Sequence, residues 1–75
     1  MLNLLMAPKN EVLSILKLKE HKMGGENQVR HLKNLGFVEG AKIEVVSEAS
    51  GNLIVKVKDS KLAIGHDIAK NIYIA

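Results

Sequence analysis

Residues 35–58, LGFVEGAKIEVVSEASGNLIVKVK, decide the fold, because a helix stop, a tight turn and two alternating strands follow one another there. Gly36 comes straight after an amphipathic run, where a helix C-terminus needs a left-handed residue without a Cβ penalty. Phe37 and Val38 can then fold back over the helix. Gly40 marks a tight turn, after which Ile43 and Val45 alternate with Lys42, Glu44 and Val46 across residues 41–48. Residues 53–58 alternate more cleanly, with Leu53, Val55 and Val57 on one face and Lys56 and Lys58 on the other. Ser50-Gly51-Asn52 joins the two runs, which predicts an antiparallel hairpin.

Working upstream, Asn27 is placed to cap a short helix running through Leu35. Its spacing buries Val29, Leu32 and Leu35 and turns Arg30, Lys33 and Asn34 to solvent. Gly24 and Gly25 break the chain ahead of it. Before them a strand forms from Val12 onward: Ile15 and Leu16 lead into Lys17, Leu18 and Lys19, with one face buried and the lysines outward. Leu13 and Ile15 leave the phase at its start open. The first segment holds an apolar patch, Leu2, Leu4, Leu5 and Met6, and then turn residues at Pro8 and Asn10. Downstream, Asp59-Ser60 predicts a turn and residues 61–65 a strand, with Leu62 and Ile64 on one face. A single helical turn over 66–70 precedes a last strand over 71–75, with Ile72 and Ile74 inward and Tyr73 on the other face. Five short strands, one short helix and one helical turn predict a mostly-β, closed or nearly closed small barrel. Closure removes exposed strand edges.

Seventy-five residues predict one domain spanning 1–75. The chain has no cysteine, which excludes disulfides, thiolate metal sites and cysteine nucleophiles. Its N-terminal apolar stretch lacks a basic start, and no run approaches the roughly 20 apolar residues of a membrane span. The expectation is a cytoplasmic protein, peripheral to a membrane only through a partner. The formal charge of +3 is spread along the chain, and Phe37 and Tyr73 are its only aromatics. Nucleic-acid binders gather positive charge on one face and stack bases on aromatic rings, so nucleic acid is not an expected partner.

The element Leu35-Gly36-Phe37-Val38-Glu39-Gly40 resembles the "L-G-[hydrophobic]-x-x-G" segment of the FeoA family. The likeness continues through 42–46, 53–57 and Leu62-Ala63-Ile64-Gly65. It ends in Ala69-Lys70-Asn71-Ile72-Tyr73-Ile74, similar to that family's terminal "A-x-x-I-x-V" strand. Leu5-Met6-Ala7-Pro8 and Gly24-Gly25 fall in register upstream, so nearly the whole chain is covered. The resemblance implies a five-stranded SH3-like barrel that assists FeoB, a ferrous iron permease with a cytosolic GTP-binding domain. It also implies kinship with the C-terminal domains of DtxR-type regulators and, at family level, transition metal ion binding. Two departures stand out. Asn10 replaces a common glycine, and Ile64-Gly65-His66-Asp67 lies where many relatives carry arginine.

No chemistry-bearing constellation appears beside that likeness. His21, His31 and His66 are ten and thirty-five residues apart on a strand end, a helix and a turn, not at the close spacing of a metal site. Arg30, the only arginine, is the one residue that could act as an arginine finger on a GTPase; the plainer reading is a solvent-facing helix residue. Ser14, Ser47, Ser50 and Ser60 lack a nucleophile elbow and a neighbouring histidine, and Gly24-Gly25 lacks the lysine of a phosphate loop. The sequence therefore predicts no enzyme, no catalytic or metal residues and no cofactor. The resemblance then implies a protein–protein interaction module whose expected partner is the FeoB-type permease or its GTP-binding domain, with Arg30, Lys33, Phe37, Val38 and Tyr73 as the expected contacts and Gly24, Gly25, Gly36 and Gly40 as structural turns. The alternatives are a stand-alone SH3-like partner of a DtxR-type regulator and a small-barrel nucleic-acid binder.

Overall fold

The computed structural model describes residues 2–75. Their strands form one antiparallel sheet in the order β1-β6-β2-β3-β4-β5. The strands are β1 (Leu2–Asn3), β2 (Val12–Leu18), β3 (Lys42–Ala49), β4 (Asn52–Val57), β5 (Ser60–Gly65) and β6 (Ile72–Ile74). The helices are α1 (Glu26–Asn34) and the single turn α2 (His66–Ala69), with 3-10 turns at Leu4–Met6 and Glu20–Lys22. The mostly-β reading holds, but the predicted five strands are six and the sheet does not close into a barrel. After β5 the chain passes through α2 and returns as β6 between β1 and β2, which leaves β1 and β5 as the two edges.

β3, β4 and β5 form a meander whose turns the sequence placed to within a residue. Asn52 pairs with Ala49, so the β3–β4 loop is Ser50-Gly51 alone. Val57 pairs with Ser60, which puts the next turn at Lys58-Asp59 instead of Asp59-Ser60. Two bulges explain where simple alternation fails. In β3, Val45 pairs with Val55 and Ser47 with Ile54, so Val46 is the extra residue. In β2, Ile15 pairs with Ile74 and Lys17 with Tyr73, so Leu16 is the extra one and is left exposed. The first half of β2 pairs with β3 and the second half with β6, so the bulged strand joins the two halves of the sheet.

α1 begins two residues earlier than predicted, with Gly25 in place of Asn27 at its N-cap. Gly25, at φ 96, precedes it, and its carbonyl accepts the N–H of Val29 at 3.0 Å. Asn27 therefore lies inside the first turn and caps nothing; glycine at a positive φ has made the reversal instead. At the other end the Phe37 N–H donates to the Leu32 carbonyl and the Gly36 N–H to the Lys33 carbonyl, both at 3.0 Å. This is a Schellman ending, with the buried Phe37 against buried Leu32 as its apolar partner positions. The core gathers Phe37, Leu4, Ile15, Met23, Ile43, Val55, Val57, Ile72 and Ile74 under the sheet, with Val29 and Leu32 contributed by α1.

Asn71, predicted only as the start of a strand, is the one buried polar residue among the described residues. Its Nδ2 donates to the carbonyls of Asp67 at 2.9 Å and Lys22 at 3.2 Å, and its main-chain carbonyl accepts the Lys19 N–H at 2.9 Å. It thereby ties the end of α2 to the turn that leads into α1. Asn71→Ala leaves both carbonyls without this donor and is expected to lower stability by about 1–3 kcal/mol in urea denaturation. A loss below about 0.5 kcal/mol would mean that water replaces the amide at no cost.

Candidate functional site

Two neighbouring elements build an open groove. The 3-10 turn Glu20–Lys22 forms one wall with Glu20 and His21, and α1 forms the other with Glu26, Arg30 and Lys33. The helix is amphipathic, so burial of Val29 and Leu32 leaves its basic side turned outward. The groove measures about 550 Å³ and opens to solvent. Lys33 Nζ lies 2.8 Å from Glu20 Oε2 and spans the two walls; both side chains are about half exposed, so the pair contributes at most about 1 kcal/mol. Arg30 forms no ion pair among the described residues, which leaves its guanidinium donors available for a carboxylate or phosphate.

The five predicted contact residues do not share this site. Arg30 and Lys33 line the groove; Phe37, Val38 and Tyr73 do not. Phe37 is completely buried (0% exposed) and offers no surface, because the Schellman ending swings its ring into the core. Val38 follows it and is exposed. Tyr73 is half-buried in the three-stranded part of the sheet, opposite Asn3 and Lys17, and Lys19 Nζ lies 5.1 Å from its ring centre. That lysine already covers one face of the ring as a cation–π contact. Glu20 and His21, which sequence reasoning did not select, complete the groove. Their only sequence signal is a short charged stretch before Gly24, and the twelve residues between Glu20 and Lys33 hide the pairing.

The three histidines stay apart. His21 is in the groove wall, His31 is on α1, and His66 on α2 holds its Nε2 2.8 Å from Glu48 Oε2. Among the described residues, no three side chains of the His, Asp and Glu type come together as a metal site would require. The His66–Glu48 pair orients an imidazole, but no serine hydroxyl bonds to it; Ser14 Oγ instead accepts from Lys42 Nζ at 2.8 Å. The groove can therefore bind and orient charged groups, and its side chains supply no nucleophile–base pair. No helix among the described residues is long and apolar enough to cross a membrane.

The FeoA domain model matches residues 2–75. The chain belongs to the FeoA family. Three solved structures share its fold. A zinc-complexed FeoA of Stenotrophomonas maltophilia, described as a prokaryotic SH3 domain protein and candidate ferrous iron transport activating factor, aligns at a TM-score of 0.79 and 21% identity, covering 100% of this chain and 91% of that one. An iron uptake regulatory protein, also a FeoA, aligns at 0.77 and 24% identity, covering 99% and 93%. Iron(II) transport protein A from Clostridium thermocellum aligns at 0.79 and 22% identity, covering 97% of this chain and 44% of that one. Comparison with curated proteins returns no match. As a FeoA-family chain, this protein belongs to a group associated with ferrous iron transport and not to a known enzyme family.

Proposed function

We propose that the chain is a cytoplasmic, non-enzymatic accessory of bacterial ferrous iron uptake that binds the FeoB-type permease or its GTP-binding domain. The observation that carries this reading is the family match along residues 2–75. The description of the Stenotrophomonas maltophilia relative as a candidate activating factor supports a role exerted on another protein. The groove between the Glu20–Lys22 turn and α1 supplies a fitting contact: an unpaired arginine beside a lysine that can exchange its internal carboxylate for one on the partner. Val38 and Tyr73 remain proposed apolar contacts outside the groove. Ferrous iron is the permease's cargo in this scheme.

Calorimetric titration of the chain with the purified GTP-binding domain, and with the detergent-solubilised permease, tests the reading. Binding is expected to at least one of them. Arg30→Glu is expected to weaken it about tenfold or more, since interface arginines are frequent hot spots, while leaving the thermal midpoint in place. Absence of binding to either protein would sink the proposal. Undiminished binding by Arg30→Glu and Lys33→Glu would move the contact off the groove.

A further inference from the structure

The sheet ends on β5, whose only strand neighbour is β4. No main-chain group of residues 60–64 bonds outside that ladder among the described residues, so alternate N–H and carbonyl groups face outward unpaired. At the opposite end of the sheet the edge strand β1 has only two residues, too short a template to pair with another chain. The β5 edge has six, the commonest length of a paired strand.

Charge distinguishes this edge further. Val12, Glu44, Lys56 and Lys61 are direct cross-strand partners in succession, so their side chains form one row across β2, β3, β4 and β5 on the same face. The row ends with two lysines side by side at the free edge. Like charges placed directly opposite repel, so the fold has left a destabilising pair at its border. Lys42 and Lys58 join Lys56, Val12 and Glu44 around a shallow depression of about 210 Å³ on this side. Among the described residues none of these four lysines forms an ion pair, and Lys42 donates to a neutral hydroxyl instead. Three lysines and a single carboxylate, Glu44, line that depression, so its charge is predominantly positive. On the opposite face of β5, Leu62 is only partly buried.

We propose that the β5 edge takes up an extended segment of a partner protein in which acidic and apolar residues alternate, added as a seventh strand. Its main chain satisfies the free edge of residues 60–64. Its carboxylates fall on the side of Lys61 and Lys56, and its apolar residues fall on the side of Leu62. Main-chain pairing supplies affinity and the alternate side chains supply specificity, as in other strand-addition complexes. A second copy of the chain is disfavoured as occupant, because it would bring another lysine-bearing edge against this one. An anionic membrane could neutralise the lysines but would leave the backbone groups unpaired. This surface is separate from the groove beside α1 and stands whether or not the permease is the partner there.

The test uses the whole chain and a fluorescein-labelled peptide of about six alternating glutamates and valines. Saturable binding is expected, with slowed amide exchange within residues 60–64 on addition of the peptide. Lys61→Glu should weaken the peptide about tenfold. It should also stay folded, because it gives Lys56 an opposite charge across the strand pair. The proposal is overturned by any of three results: no saturable binding, equal affinity for Lys61→Glu, or equal affinity for the same peptide with a central proline, which cannot complete the ladder. Binding to phosphatidylserine vesicles without binding to the peptide overturns it as well and assigns the lysines to a lipid surface.

Discussion

Gly36→Val is expected to abolish the folded state at room temperature, with the loss visible as collapse of amide dispersion in the NMR spectrum. Three penalties fall on one residue. Gly36 sits at φ 113, a backbone conformation that a β-branched side chain adopts only under strain of about 1–3 kcal/mol. A Cβ there would lie 2.8 Å from Val57 Cγ1, and Val57 is fully buried and cannot retreat. Lys58 Cδ and Cε, at 3.2 and 3.3 Å, close the other side, and such overpacking typically costs a further 1–3 kcal/mol or so. Relieving either strain by moving the backbone breaks the Schellman bonds from Gly36 and Phe37 and withdraws Phe37 from the core. A chain of this size has only about 4–11 kcal/mol of stability to lose. Gly36→Ala shares the clash but not the β-branching, so it should fold with a clearly lower urea midpoint. A folded Gly36→Val variant within about 1 kcal/mol of the parent would show that the helix end can be rebuilt without a left-handed residue.

That glycine was legible in the sequence because local chemistry alone demands it. The β3–β4–β5 meander was legible for a similar reason: Leu53, Val55 and Val57 recur at every second position and short polar turns leave one register in which that face is buried. What escaped depends on contacts between distant residues. β1 is two residues long and carries no period, so only its pairing with β6 defines it. The bulges at Leu16 and Val46 each follow an apolar residue, Ile15 and Val45, so the sequence does not say which of the two is inserted. Barrel closure failed as an expectation because alternation specifies which face of a strand is buried and says nothing about whether its edge meets another strand. The groove was half legible. The α1 periodicity put Arg30 and Lys33 on the open side of the helix, but Glu20 reaches Lys33 only through the turn made by residues 20–25. Asn71 shows the same limit in a single side chain, since its importance lies in two carbonyls that the sequence cannot bring to it.

Phe37→Ala separates core from contact surface, and it is expected to lower stability by about 3–5 kcal/mol without touching partner affinity per folded molecule. An aromatic residue just past a helix end suits either role, and the family-like spacing around it does not choose between them. Burial does choose: Phe37 is 0% exposed and is the largest of the fully buried side chains. Removing its ring opens a cavity among Leu32, Val57 and the rest of a thin core that has little freedom to collapse. The expected loss is a large share of the whole, so the variant should be partly unfolded at 37 °C and recoverable on cooling or with an excluded osmolyte. Once refolded, it should bind the permease domain as the parent does, because Arg30 and Lys33 remain on an α1 whose outward face is unchanged. Val38→Ala gives the opposite signature, with little change in stability because the side chain is already exposed, so any loss of affinity reports contact directly. A Phe37→Ala variant that stays fully stable yet loses its partner would return Phe37 to the binding surface and contradict its position in the core.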